Sequence, residues 1–500
     1  MEKRKSIILV TVDCLRADHV GFMGYVRPTT PFLDSLAQDS FVIPTAIVAG
    51  APTYYSLPAI LASRYPLALG RDVLGIGPDE PTLASVLREA GYRTAAFGAA
   101  NPYISPRFGY DHGFDTFRDF LESEPAPLVA KNVELQIGQG WASRLNHHLQ
   151  RMRPAMGPLG PLYDEAYFRY CQQVTPVPDS LDALRRFPAA DQIVEHACEW
   201  LASAGNAPFF AWLHLMDPHS PYYPRAEALA SMGDHPVAPF EARYLNSYWN
   251  RSDLKSRRLA RRRDEIVRLY DGGIRWVDGQ IAQLVRKLRV ANIWDDCIFA
   301  LTADHGEEFL DHGGRYHPPS RLMEELIHVP LLLRIPGATK NDVSKAPFSL
   351  LHLAPTLLEA ASVPAPGEFR GRSYYRQLGK GEKFDSVAIS ECVAGCTNPF
   401  SPFNRMGPRV LSVRESRFKL MLYFDPQGDV LYDLDADPHE QKPLATTEHR
   451  AERRRLLEIA REHLARSYGD RDWKAQVRAR LRDHRLEWTD STQKISAAAS

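Results

Sequence analysis

The chain has 500 residues, enough for three domains at roughly 150 residues each or for one large α/β unit with an appendage. Its 61 basic and 61 acidic side chains cancel, which excludes a nucleic-acid binder that relies on a global basic field. Apolar content of 44% and charged content of 24% exclude wholesale disorder, and no run reaches the roughly 18 apolar residues of a membrane-spanning helix.

Residues 1–5 are basic and residues 6–12 are mostly apolar, which imitates a signal peptide. The apolar run stops at Asp13 with no small-residue cleavage site, so it reads as a buried β-strand and predicts a cytoplasmic protein. Six cysteines are scattered, and Cys392 and Cys396 sit at neither redox nor zinc spacing, so they read as reduced thiols.

The threonine–proline sequence ending at Pro31 predicts a helix to about residue 37, with threonine as cap and proline in the first turn. Short helices follow at 56–62 and 82–90, the second stopped by Gly91, and then a strand at 93–97. Strands alternating with helices imply βαβ units and a mostly parallel sheet. The pattern dissolves over about 120–188 and again over 225–262, which read as irregular insertions. Residues 255–263 hold six basic side chains, either a solvated helix face or a rim that attracts anions. Helices at 190–204 and 264–289 precede strands at 208–215 and 297–303. A buried strand at 329–335 and a helix at 350–361 complete a catalytic α/β domain over 1–370. A smaller α+β subdomain takes 371–470, with antiparallel strands at 386–392 and 409–423 and a helix at 446–467; 471–500 read as a peripheral helix and tail.

Four features fall at predicted strand exits or in the loops after them, the edge where open α/β sheets bind ligands. Asp13 ends the first strand, where a carboxylate serves equally as a metal ligand or a helix cap. Asp304 and His305 end the strand at 297–303 and offer an oxygen and a nitrogen for a divalent cation. Asp311-His312-Gly313 repeats the tripeptide, but only the first copy follows a strand. His219 follows a proline at a strand exit and reads as functional, whereas His214 on the strand reads as structural. Thr53 and Ser56 stand before or at a helix start, where the helix field favours an alkoxide or an anion, though a simple cap is an equal reading.

Together these pieces resemble the sulfatase family of the alkaline phosphatase superfamily. The similarity runs through Thr11-Val12-Asp13-Cys14-Leu15-Arg16-Ala17-Asp18, Leu301-Thr302-Ala303-Asp304-His305-Gly306-Glu307, His328-Val329-Pro330 and Tyr432 to Glu440. It implies a three-layer sandwich with a mostly parallel central sheet plus the C-terminal α+β subdomain. The family's nucleophile loop carries a cysteine that becomes formylglycine. Counted back from Arg64-Tyr65-Pro66, that place is Thr53, and the motif's serine and arginine fall on Ser56 and Leu57. Formylglycine cannot form on threonine. In Gly98-Ala99-Ala100-Asn101 an alanine takes the place of the family's sulfate-gripping lysine, and Asn101 takes the place of a histidine.

By this resemblance Asp13, Asp304, His305 and Thr53 hold one divalent metal ion (Mn, Zn, Mg or Ca), with Thr53 also the nucleophile. His219 and His317 face the substrate as catalytic groups, and Asn101 and Arg64 are candidate substrate contacts, with support of the loop by ion pairing the stronger reading for Arg64. Because a threonine ester cannot collapse to an aldehyde, a second nucleophile must attack the central atom. The expected function is hydrolysis of a phosphate (di)ester or sulfate ester through Thr53. The alternatives are transfer of the same group to another acceptor and an inactive binding homologue. The expected partner is a small anionic ester, with no nucleic acid and no membrane span.

Overall fold

Strands Ser6–Val12, Phe209–Leu215 and Cys297–Ala303 lie side by side at the centre of a seven-stranded sheet. Nearly every residue in them is buried, which is why they read as continuous apolar runs: helices cover both faces. The computed structural model describes residues 4–71, 73–121, 153–203, 205, 207–338, 343–382, 384, 387–424 and 428–467.

In spatial order the sheet runs Phe41–Val42, Leu331–Arg334, Cys297–Ala303, Ser6–Val12, Phe209–Leu215, Arg93–Phe97 and Thr116–Arg118. The last five are mutually parallel, and the first two add antiparallel pairings at one edge. Helices Thr53–Ala62, Leu83–Glu89 and Leu353–Ala360 pack together, as do Pro31–Ala37, Ala190–Ser203 and Arg263–Val290. The chain steps out from Ser6–Val12 to Arg93–Phe97 and then returns across the sheet, so right-handed crossovers put these two groups on opposite faces. The fold is the expected α/β sandwich.

Register positions the site. Val12 pairs with Leu215 on one side and with Ala303 on the other. The next residues, Asp13, Met216 and Asp304, therefore leave the sheet at one level.

Three expectations need correction. Residues 225–262 are not irregular: they form helices Ala226–Ser231, Pro239–Trp249 and Ser256–Leu259. Tertiary aromatic packing organises them, with the Tyr244 ring 5.5 Å from Phe168 of helix Gly160–Val174 and 6.1 Å from Tyr248. The run at 329–335 is two strands, because Pro330 has no N–H: His328–Val329 joins a small sheet with Ala46–Ile47, and Leu331–Arg334 joins the large one. The helix at 350–361 begins as a tight turn, Leu350–His352. Much of the insertion expected at 120–188, and the tail at 471–500, lie outside the described residues.

The C-terminal part is a four-stranded antiparallel meander, Val387–Val393, Arg409–Glu415, Phe418–Tyr423 and Gly428–Asp433, covered by helix Arg450–Ser467. Its own core gathers Ile389, Leu411, Val413, Leu420, Leu431, Leu456 and Ala460. Buried charges bolt it to the short helix Glu324–Ile327 of the large domain. Lys419, fully buried, reaches Glu324 at 3.1 Å and Glu440 at 2.7 Å, and Arg414 also pairs with Glu324. Removing one partner from such a set strands a buried charge, a loss of about 3–5 kcal/mol. All six cysteines are unpaired with one another. Among the described residues no helix is long and apolar enough to cross a membrane.

His312 spans the same junction, with Nδ1 2.7 Å from Glu325 Oε1 and Nε2 3.2 Å from the Glu440 carbonyl. Burial opposes its charge, but the Glu325 carboxylate overrides burial and raises the imidazole to about 9. A histidine raised by folding contributes stability that is full below 6.5 and lost as pH climbs to about 9. His312→Gln is expected to flatten the fall in melting temperature across that window, as measured by thermal unfolding at several pH values. An unchanged slope would contradict the pairing.

Candidate active site

The peptide N–H of Asp13 is fixed by the Leu215 carbonyl at 2.8 Å, so the carboxyl group leaves the sheet from a rigid edge. Thr53 is the first residue of helix Thr53–Ala62, with extended Pro52 before it. Its hydroxyl donates to Asp13 Oδ2 at 3.5 Å and lies 3.2 Å from His305 Nε2. His305 Nε2 is 3.7 Å from Asp13 Oδ1 and 3.5 Å from Asp304 Oδ2. The other ring nitrogen of His305 faces the Gly306 carbonyl at 2.8 Å, which directs the Nε2 lone pair into the cluster. Asp304 Oδ1 accepts the backbone N–H groups of His305 at 2.9 Å and Cys14 at 3.3 Å.

Asp13 and Asp304 are fully buried. Burial resists ionisation of Asp13, but His219, His214 and His305 together hold its carboxyl well below the usual range. Burial and the charge of Asp13 push Asp304 up. Asp304 Oδ2 is buried without a hydrogen-bond partner. Two adjoining carboxylates, a directed imidazole and an orphaned buried oxygen form a donor set that a divalent cation satisfies. One ligand atom each from Asp13, His214 and Asp304 lies within 4.8 Å of the others, and the same holds for Asp13, Cys14 and His305.

His214 was missed by sequence reasoning. Its Nε2 stands 3.3 Å from Asp13 Oδ2, and its Nδ1 is 2.8 Å from Thr11 Oγ1, which itself accepts the Trp212 indole N–H at 2.9 Å. The register that pairs Thr11 with His214 puts it there. Asn101 donates to Asp13 Oδ2 at 3.3 Å and accepts the Tyr103 N–H at 3.0 Å, so it braces a carboxylate of the cluster.

His219 and His317 lie together beside this cluster. Their ring centroids are 5.1 Å apart, and His317 is 4.7 Å from the His305 ring. Both are only partly buried.

Arg64 does not join them. Its guanidinium pairs with Glu80 and donates to the carbonyls of Tyr65 at 3.0 Å, Pro66 at 3.3 Å and Gly75 at 2.7 Å. All three guanidinium nitrogens hold the loop, so Arg64 takes the loop-supporting role rather than that of a substrate contact. Ser56 bonds back to the Thr53 carbonyl at 3.1 Å. Asp217 pairs with Arg185 at 2.9 Å and accepts the Ala190 N–H at 2.9 Å; burial pushes it up to about 6. The second Asp-His-Gly copy also lies elsewhere, with Asp311 on Arg16 and His312 on Glu325.

Residues 5–363 match the family described as Sulfatase, and residues 315–466 match the C-terminal region described as N-sulphoglucosamine sulphohydrolase. A multifunctional alkaline phosphatase superfamily protein, PehA of Trinickia caryophylli, is 23% identical over 88% of this chain and 91% of its own. An arylsulfatase of Clostridium perfringens is 23% identical over 90% of this chain and 92% of its own. Among solved structures, the phosphonate monoester hydrolase of Agrobacterium radiobacter superposes with a TM-score of 0.60 at 18% identity, over 93% of this chain and 95% of its own. With the family match covering most of the length and the cluster at its sheet edge, the chain belongs to the sulfatase family of hydrolases.

Proposed function

We propose that this protein hydrolyses anionic esters of phosphorus, a phosphonate monoester or phosphodiester class, through a covalent intermediate on Thr53. The observation that carries this reading is the Thr53 hydroxyl at a helix start, 3.5 Å from Asp13 and 3.2 Å from His305. Two relatives bearing names of wide or phosphonate-directed activity, PehA and the phosphonate monoester hydrolase, support the substrate class.

Asp13, Asp304, His305 and Thr53 would hold a divalent cation, whose positive charge would acidify the hydroxyl and neutralise a non-bridging oxygen. His214 and Asn101 keep Asp13 aimed at the cluster. The helix N-terminus at Thr53 adds a further field favourable to anions. Thr53 loses its hydroxyl proton to solvent and its Oγ attacks phosphorus, forming one O–P bond as the bond to the leaving oxygen breaks. One of the two histidines on the open side, His219 or His317, gives the leaving oxygen its proton. Water then attacks phosphorus, releasing the acid and restoring the Thr53 hydroxyl. Sulfate esters are the poorer substrates in this reading, because the threonine ester lacks the aldehyde route of formylglycine.

In the cation-free protein Asp304→Asn removes a like charge beside Asp13, so its melting temperature is expected to equal or exceed that of the parent. Added Mn²⁺ raises the melting temperature of the parent and not of the variant; calorimetry with and without the ion checks both. Equal stabilisation of the variant by Mn²⁺ would sink the ligand assignment.

Thr53→Ala is expected to lower kcat/KM by at least about a thousandfold on an aryl phosphonate monoester or aryl phosphodiester. Aryl sulfate in the same panel is expected to react more slowly with the parent. Full activity in Thr53→Ala, or a parent that cleaves only the sulfate, would overturn the proposal. Added alcohols that appear as esters in the products would replace hydrolysis with transfer.

A further inference from the structure

Cys14 has no part in the hydrolytic reading, yet its thiol lies inside the cluster. The residue has φ of 61°, a left-handed conformation that side-chain-bearing residues seldom adopt. Tyr270 holds the turn by donating its hydroxyl to the Cys14 carbonyl at 2.6 Å while accepting the Arg16 N–H at 3.0 Å. The thiol donates to Asp13 Oδ1 at 3.1 Å and lies 3.4 Å from His317 Nδ1.

These contacts match the dimensions of a coordination sphere. With bonds of about 2.3 Å to sulfur and 2.0–2.1 Å to nitrogen, the S···N edge of a tetrahedral zinc site is about 3.5 Å. One ligand atom each from Cys14, His219 and His317 lies within 4.8 Å of the other two. Nδ1 of His219 faces the Ser220 carbonyl at 2.5 Å, which leaves the Nε2 lone pair free in the manner of a carbonyl-oriented metal ligand. Glu307 adds negative charge beside the group: Oε2 is 3.3 Å from His317 Nδ1, and Oε1 is buried without a hydrogen-bond partner.

We propose that Cys14, His219 and His317 form a second cation site, beside the Asp13–Asp304–His305 set, for a thiophilic divalent ion such as Zn²⁺. Binding replaces the S–H bond of Cys14 with one S–metal bond and releases the proton to solvent, without redox change. Two imidazole lone pairs complete three protein ligands, and the fourth position opens to the cleft. One thiolate and two imidazoles select against Mg²⁺ and Ca²⁺, whereas the neighbouring carboxylate pair is the harder site. The sequence resemblance implies a single cation, on Asp13, Asp304, His305 and Thr53. The structure brings a further donor, Cys14, to His219 from a different strand end. An ion here takes the lone pairs and protons of His219 and His317, so it competes with the leaving group and inhibits ester cleavage.

The test is a Co²⁺ titration of the metal-free full chain, read by equilibrium dialysis and absorption. The parent is expected to bind two ions, the second bringing a thiolate-to-cobalt charge-transfer band in the near ultraviolet. Cys14→Ser and His317→Ala are each expected to bind one ion without the band. A parent that binds one ion, a saturated parent without the band, or a band that survives in Cys14→Ser would overturn the site. Should Cys14→Ser fail to unfold cooperatively, His317→Ala and the parent spectrum decide. These readouts do not depend on ester cleavage, so a protein that binds two ions with the band, yet cleaves nothing even when only the first site is filled, keeps this site and loses the hydrolytic proposal. One that cleaves esters with a single ion and no band does the reverse.

Discussion

Two carboxylates buried side by side at the ends of adjacent parallel strands are the constraint around which the molecule is arranged. Asp13 and Asp304 are held there by register, and neither can move away without breaking the central pairing of the sheet. Like charges in a dry site repel strongly, and Asp304 responds by resisting ionisation. The surroundings answer with imidazoles: His214, His219 and His305 all bear on Asp13. Such a cluster is poor for stability and good for collecting a cation, an exchange of stability for chemistry that recurs at functional sites.

The rest of the fold keeps this edge rigid. The helix Thr53–Ala62 is buried along its whole length, so the nucleophile candidate is delivered on a packed element and not on a loose loop. Arg64 and Glu80 fasten the chain that follows it. The C-terminal meander is bolted on through Lys419, Glu324 and Arg414, and a second buried set joins Glu391 to Arg409 and to His463 at 2.9 Å. Glu391 also accepts the Leu67 N–H at 2.8 Å, which ties this subdomain to the loop just beyond Arg64.

The central sheet was legible in the sequence because strands buried on both faces must be apolar throughout, and a charge ending such a run is conspicuous. Asp13 and Asp304 were visible for that reason, and the strand preceding Asp304 separated it from its copy at Asp311. His214 was not legible. A histidine inside an apolar strand reads as a satisfied core residue, and only the pairing of Thr11 with His214, a contact between distant segments, carries it to Asp13. Cys14 was hidden in a similar way, since the left-handed turn that aims its thiol at His317 leaves no mark in composition. Residues 225–262 misled because their helices are short and are organised by rings on another helix. Arg64 reads from its place after the nucleophile loop as an ion-paired support, but its partners, Glu80 and three carbonyls, are visible only in the fold.

The central claim is that one cation sits between the strand ends and touches the hydroxyl of Thr53. Anomalous diffraction at the manganese edge, from crystals of the full chain grown with Mn²⁺, tests it most directly. The account predicts a peak bonded to Asp13, Asp304, His305 and Thr53 Oγ. A Mn²⁺ peak that leaves Thr53 outside bonding distance, or that lies away from the two carboxylates, would contradict it.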